Sequence, residues 1–333
     1  MSIFKKLASK MNASNIKQPG TEYSPTLSST KRCAQYYSPP YVVPPASGTH
    51  RQSFIVLHGR GDNNPNFGTI LLTTHIPVYT SLVQAYPDAS FIFPTASLRR
   101  AEVLGRSSIH QWFDLQDIKK QTLKEELQFE GLKQSFEFLC PIIEQEIEKV
   151  GSENVVLWGL SQGMATAMIT MLMWTGPKFA AAVGMCGWVP LKARMEREVR
   201  EEEMEGENPF REDEQSKAMA SAAEKRGSKL QRAARYLREE LDLPAATTSP
   251  ALLDIPVFIG HGKKDGKVPP VLADEAKELL ELLEFDVGLQ TYDIIVAKGH
   301  WYSGEMLHDI IEFLEHKAGI KATTSARQES GKR

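Results

Sequence analysis

Cysteine is scarce in this chain, three in 333 residues, at Cys33, Cys140 and Cys186. They are odd in number and widely spaced, which argues against a disulfide framework and for a reduced, cytoplasmic setting. Charge of one sign is also lacking. A net charge of −3 leaves no electrostatic footprint for nucleic acid, so no nucleic-acid partner is expected. Long hydrophobic runs are missing, and with them any transmembrane segment. The opening MSIFKKLASKMNASNIKQPG has no continuous apolar core of the secretory type. Its Ile3, Phe4 and Leu7 offer at most a transient contact with a membrane surface. No cluster of His, Cys and carboxylates has ligand spacing, which argues against a metal-dependent mechanism, and no cofactor is expected.

Apolar residues, at 41% of the chain, suffice for a sizeable core, and their order is informative. YVV, SFIVLHG, ASFIFP, VVLWGLS, AAAVGMCGW, PVFIGHG and QTYDIIVA read as strands, with helical segments between most of them. Leu132, Phe136, Leu139, Ile143 and Ile147 recur at helical spacing, as do Leu272, Ala276, Leu279, Leu280 and Leu283. Alternating strands and helices predict an α/β fold: a mostly parallel central sheet covered by helices on both faces. Residues 1–38 and 321–333 are polar and read as disordered tails around one domain, 39–320. Residues 192–251 read as a charged helical insertion, with runs such as EREVREEEMEGENPFREDE that cannot build a sheet core. Its second half carries a narrow apolar stripe, Leu230, Ala234, Leu237 and Leu241. That stripe fits a surface helix resting on the domain, with a lid over the site as the alternative.

The chemistry centres on GLSQG. A strand ending at Trp158 turns within a few residues into an Ala- and Met-rich helix, and the apex carries Ser161 between Gly159 and Gly163. This is the G-x-S-x-G nucleophile elbow, which tolerates little side-chain bulk at its strained turn. A serine hydroxyl needs a base and an acid that orients the base. His300 follows the seventh strand and Asp265 the sixth, at the carboxyl ends where active groups of parallel sheets gather. His58, His261 and His308 compete as base; Asp62, Asp114, Asp286 and Asp293 compete as acid. The order Ser, Asp, His favours Ser161, Asp265 and His300. For the oxyanion, the backbone N–H of Gln162 is one donor, and the glycine-containing loop HGRGDN supplies a second at Arg60.

Together LHGRGDN, QWFDL at 111–115, GLSQG, CGWVPL at 186–191, HGKKDGKVP at 261–269 and the dipeptide GH at 299–300 resemble the acyl-protein thioesterase and carboxylesterase (phospholipase/carboxylesterase) family of α/β-hydrolases. The likeness runs over residues 40–191 and 252–316. It implies an α/β-hydrolase fold, the triad Ser161, Asp265 and His300, the donors Arg60 and Gln162, and hydrolysis of thioesters or carboxylic esters. Trp112 and Trp188, within two of the shared motifs, are the candidate substrate contacts. The chain departs from the family in having Arg60 where Leu is usual and Gly266 where Pro follows the acid. Where the family's acyl channel is bordered by an apolar loop, this chain reads LRRAEVLGRSSIH, with Arg99, Arg100 and Arg106. Those arginines predict short or medium acyl chains. The expected substrates are an acylated protein or a small-molecule ester. Short-chain or polar esters are one alternative, and a non-catalytic binding protein on the same fold is another.

Overall fold

The computed structural model describes residues 37–206 and 227–323. The first tail up to residue 36, with Cys33 and the apolar Ile3, Phe4 and Leu7, the middle of the charged insertion and the last ten residues lie outside the described residues.

Nine strands are found among the described residues: β1 Tyr41–Val43, β2 Gln52–Leu57, β3 Ala89–Phe93, β4 Leu98–Ala101, β5 Ser107–His110, β6 Val155–Leu160, β7 Ala181–Met185, β8 Val257–Gly262 and β9 Val287–Tyr292. Seven of them form one sheet in the order β1-β3-β2-β6-β7-β8-β9. All neighbours are parallel except β1, which runs antiparallel along β3. The main helices are α1 Asn64–Thr73, α2 Phe129–Val150, α3 Gln162–Met173, α4 Lys192–Gly206, α5 Lys229–Glu240, α6 Val271–Leu282 and α7 Gly304–Ala318.

The central strands are apolar on both faces because both are covered. Along β6, Val155 and Leu157 face one core while Val156, Trp158 and Leu160 face the other; along β2, Ile55 and Leu57 oppose Phe54 and Val56. Such a two-residue period with both halves buried is the mark of a doubly covered parallel sheet. Helices α2, α3 and α6 pack into the first core, α1 and α7 into the second. The expected stripes hold: Leu132, Phe136, Leu139 and Ile143 of α2 are buried, as are Leu272, Ala276, Leu279 and Leu280 of α6.

The structure departs from the sequence expectation in two places. The last strand is VGLQTY rather than QTYDIIVA, so the apolar IIV run falls after the strand, with Ile295 95% and Val296 51% exposed. The segment LRRAEVLGRSSIH is not a loop but a two-stranded antiparallel hairpin, pairing Leu98 with His110 and Ala101 with Ser107.

The stripe of the insertion finds its partner on the domain. Leu230, Ala233, Ala234 and Leu237 of α5 are buried, and Leu230, Ala233 and Leu237 join the first core, with α5 packed on α3 and α4. Ser228 caps α5: its Oγ accepts the Gln231 N–H at 3.3 Å while Gln231 Oε1 accepts the Ser228 N–H at 2.9 Å. Arg238, 6% exposed, donates to the carbonyls of Met173 at 3.0 Å and Pro244 at 2.9 Å, and its guanidinium lies 5.4 Å from the Phe136 ring. The described part of the insertion thus covers the side of α3.

Candidate active site

Ser161 sits between the end of β6 and the start of α3 with φ 57° and ψ −119°, a backbone conformation that a non-glycine residue holds only where its surroundings impose it. They do so by close packing. A Cβ on Gly159 would lie 2.3 Å from the Gly163 backbone, and one on Gly163 would lie 2.2 Å from the Leu57 carbonyl oxygen. Only glycine fits at either position. The Ser161 N–H donates to the Met185 carbonyl at 2.7 Å, tying the apex to the end of β7.

His300 reaches the apex from the turn after β9. Ala297, Lys298 and Gly299 all adopt positive φ, and a Cβ on Gly299 would meet the Lys264 carbonyl oxygen at 2.6 Å. This turn locks against the loop after β8. His300 Nε2 is 3.0 Å from Ser161 Oγ and its Nδ1 is 2.7 Å from Asp265 Oδ2, with all three residues more than nine-tenths buried. Asp265 Oδ1 accepts the N–H groups of Lys267 at 2.8 Å and Val268 at 2.9 Å. His261, fully buried, places Nε2 3.0 Å from the Val268 carbonyl and 3.4 Å from Asp265 Oδ2. Burial works to raise the Asp265 pKa, but the hydrogen bonds from His261, His300 and the Val268 N–H outweigh it and hold the carboxyl well below the usual carboxylate range. It therefore presents a fixed negative charge to the imidazole.

The rival acids lie elsewhere. Asp286 pairs with Lys317 and Asp293 with Lys263, both near the surface; Asp114 accepts the Glu102 and Leu115 N–H groups. Asp62 lines the cavity, yet its carboxylate turns to the Asn63 N–H at 2.9 Å.

Gly59 lies beside the elbow: a Cβ there would be 3.4 Å from Ser161 Cβ. In the loop that follows, the Gly61 N–H is taken by His110 at 2.7 Å and the Asp62 N–H by Gly59 at 3.3 Å, and no backbone partner takes the Arg60 N–H among the described residues. Gln162 is the first residue of α3, where helix geometry leaves the N–H free. Two histidine and tryptophan contacts hold this loop. His58 accepts the Ala96 N–H on Nε2 at 3.0 Å and donates from Nδ1 to the Gly59 carbonyl at 2.8 Å. Burial pushes its pKa down to about 4, so it is a neutral ring at pH 7. Trp112 Nε1 donates to the His58 carbonyl at 2.8 Å, while the Gln162 side chain accepts the Trp112 N–H at 3.0 Å and donates to the Phe113 carbonyl at 2.7 Å.

A cavity of about 490 Å³ opens at this point, lined by Ser161, His300, Arg60 and Gln162 together with the apolar Leu104, Ile109, Leu115, Ile118, Trp188 and Val268. Trp188 is where the sequence placed it. Trp112 is not: it is fully buried and ties QWFDL to the His58 loop instead of facing the cavity. Arg99 and Arg100 are absent from the lining too. Arg99 reaches Gln134 on α2, and Arg100 and Arg106 are exposed. The hairpin meets the cavity through Leu104, in the turn between its strands, and Ile109, in β5. No described residue of the insertion lines the cavity either. The sequence reading missed Leu104, Ile109, Leu115 and Ile118 as channel residues; the cue was QWFDL followed three positions on by Ile118, apolar positions in and beside a motif already in hand.

A sequence profile of the phospholipase/carboxylesterase family matches residues 39–203. The chain belongs to the phospholipase/carboxylesterase family of α/β-hydrolases. As a member it is a hydrolase, and the matched stretch ends within α4, inside the charged insertion. Acyl-protein thioesterase 1 from Kluyveromyces lactis is 24% identical over 264 residues, which cover 78% of this chain and 89% of that protein. Carboxylesterase SOBER1 from Arabidopsis thaliana is 29% identical over 157 residues, which cover 45% of this chain and 63% of that protein. The crystal structure of acyl-protein thioesterase 2 from Zea mays superposes with a TM-score of 0.57 at 22% identity, over 85% of this chain and all of that one. Among the described residues no helix is long and apolar enough to cross a membrane.

Proposed function

We propose that this chain is a serine hydrolase that cleaves acyl thioesters or carboxylic esters through an acyl-enzyme intermediate. One observation carries the reading: Ser161, His300 and Asp265 form a continuous hydrogen-bonded series, of 3.0 and 2.7 Å, that opens into an apolar cavity. His300 Nε2 takes the Ser161 proton as Oγ attacks the acyl carbon, and Asp265 stabilises the imidazolium that results. The N–H groups of Gln162 and Arg60 receive the oxyanion. His300 then protonates the leaving thiol or alcohol, and in the second half it activates water to release the acid and free Ser161. Trp188 and the apolar wall hold the acyl chain. Relatives named acyl-protein thioesterase and carboxylesterase support this reaction class and an acylated protein or small ester as substrate. The tails 1–38 and 321–333 and the insertion 192–251 are additions to the hydrolase domain, and a cytoplasmic setting fits the unpaired Cys140 and buried Cys186.

The wall, rather than the arginines, sets the acyl preference. Burying each added methylene against it contributes about 0.8 kcal/mol, so kcat/KM should rise about fourfold per methylene from acetyl upward until the channel is filled. A panel of thioesters and esters from acetyl to palmitoyl measures this. A flat or falling profile from acetyl onward would restore the short-chain or polar-ester reading. Failure to cleave any of them, with refusal of a fluorophosphonate probe, would leave only a binding protein.

A further inference from the structure

We infer that the preferred substrate carries an anionic group, such as a carboxylate or phosphate, on its leaving portion, and that Arg60 and Lys267 receive it at the mouth of the cavity. This rests on the hydrolase reading and adds a substrate class to it.

The lining divides by burial. Leu115, Leu160, Trp188 and Val268 are each no more than 3% exposed, and all are apolar. Arg60 and Lys267 line the same cavity but are exposed. An acyl chain gains most by filling the buried apolar part. The other substituent of the reacting carbon must then leave toward the solvent edge, where the two cations stand.

Neither cation is in an ion pair among the described residues, unlike Lys263, which Asp293 takes at 2.7 Å. The neighbouring carboxylates do not compete well. Asp265 is buried within its own hydrogen bonds. Asp114 is committed to backbone N–H groups at 2.9 to 3.2 Å. Asp62 is the one acid in the lining, and its carboxylate accepts the Asn63 N–H at 2.9 Å. With Arg60 and Lys267 against the single lining carboxylate of Asp62, the rim favours an anion over a cation.

Three octanoyl thioesters test the inference: those of mercaptopropionate, of its neutral methyl ester, and of the cationic thiocholine. Each is assayed with the full chain and with Arg60→Gln, Lys267→Gln and the double variant, at low and high salt. The readout is the ratio of kcat/KM values between substrates within one variant, so a general loss of rate cancels. Comparing the ratios of parent and double variant cancels the intrinsic reactivity of the thiols. The anionic substrate should exceed the neutral one by about 1.5- to fivefold in the parent, the range of exposed ion pairs, with thiocholine slowest. The ratio should shrink in each single variant and fall furthest in the double variant. High salt should have a similar effect because exposed charges are screened. Equal ratios in parent and double variant, with all three substrates cleaved, would overturn this inference and leave the hydrolase reading standing. No cleavage of any substrate, with fluorophosphonate refused, would overturn both.

Discussion

The sheet carries a serine, a histidine and a carboxylate at each of its two ends. At the carboxyl end, Ser161 sits on a left-handed turn, His300 Nε2 faces its hydroxyl, and Asp265 holds the opposite ring nitrogen. At the amino end, Ser53 lies in the extended strand β2, fully buried, and its hydroxyl donates straight to Glu146 Oε2 at 2.6 Å. His50 Nε2 is 2.8 Å from Ser53 Oγ, and Lys149 pairs with the other oxygen of Glu146. The composition is the same and the chemistry is not. At Ser53 the acid takes the hydroxyl proton directly, so the oxygen gains no base through an oriented imidazole, and the hydroxyl is fully buried. Nucleophilicity follows from the order of partners and the backbone turn, while the same three groups in a flat strand pin a helix to a sheet.

The sharpest way to break this contrast is to remove each hydroxyl. Ser161→Ala should lower kcat by about a million-fold and abolish fluorophosphonate labelling while leaving the melting temperature near that of the parent. Ser53→Ala should keep labelling and turnover but destabilise by about 1–3 kcal/mol, because Glu146 Oε2 loses a buried partner. Urea melts and probe labelling of both variants read the two effects. Loss of labelling in Ser53→Ala with labelling intact in Ser161→Ala would reverse the assignment.

A smaller loss tests the acid. Asp265→Asn should cost about ten-thousand-fold by holding the wrong imidazole tautomer, and Glu146→Gln at the other end should leave kcat unchanged. A normal rate in Asp265→Asn, with Asp293→Asn or Asp286→Asn inactive, would move the role elsewhere.

The smallest effect is on stability against pH. His58 has a folded-state pKa of about 4, lowered by burial from the 6.5 of a free ring. The unfolded chain therefore binds the proton first as pH falls. Stability is lost progressively from about pH 6.5 downward, levelling near pH 4, to a total of about 3 kcal/mol. Denaturation curves at pH 7 and pH 5 should show a steeper loss for the parent than for His58→Leu. Equal slopes would remove His58 as the source.

Much of this was legible in the sequence, for identifiable reasons. The elbow shows because a strand, a small-residue apex and a helix are all local, and Asp265 and His300 show because each follows its strand at the carboxyl end. Five of the sheet's seven strands show because their apolar runs are buried on both faces, and half-buried β1 shows through its aromatic and β-branched YVV. β9 was displaced because it is an edge strand with mixed burial, while in the apolar IIV beyond it Ile294 is buried and Ile295 and Val296 are exposed. The β4–β5 hairpin was hidden because Leu98, Arg100, Ser107 and Ser108 face solvent and leave no alternation to read. Nor does anything local announce that Trp112 donates to the His58 carbonyl 54 residues away. Long-range hydrogen bonds decide which residues of a motif support the site and which face the substrate.

The packing of α5 on α3 bears on how far this chain can be trimmed. Every residue of α3 is buried, although its neighbour comes from a segment too charged to belong to the sheet core. Excising residues 192–251 to recover a shorter hydrolase would strip Leu230, Ala233, Ala234 and Leu237 from that helix and free the Met173 carbonyl that Arg238 now occupies. The cut would leave an adhesive apolar strip on the helix that begins at Ser161. In this chain the added segment has become part of the architecture, and a shortened version would need new polar residues on α3 before it could stay dispersed in water.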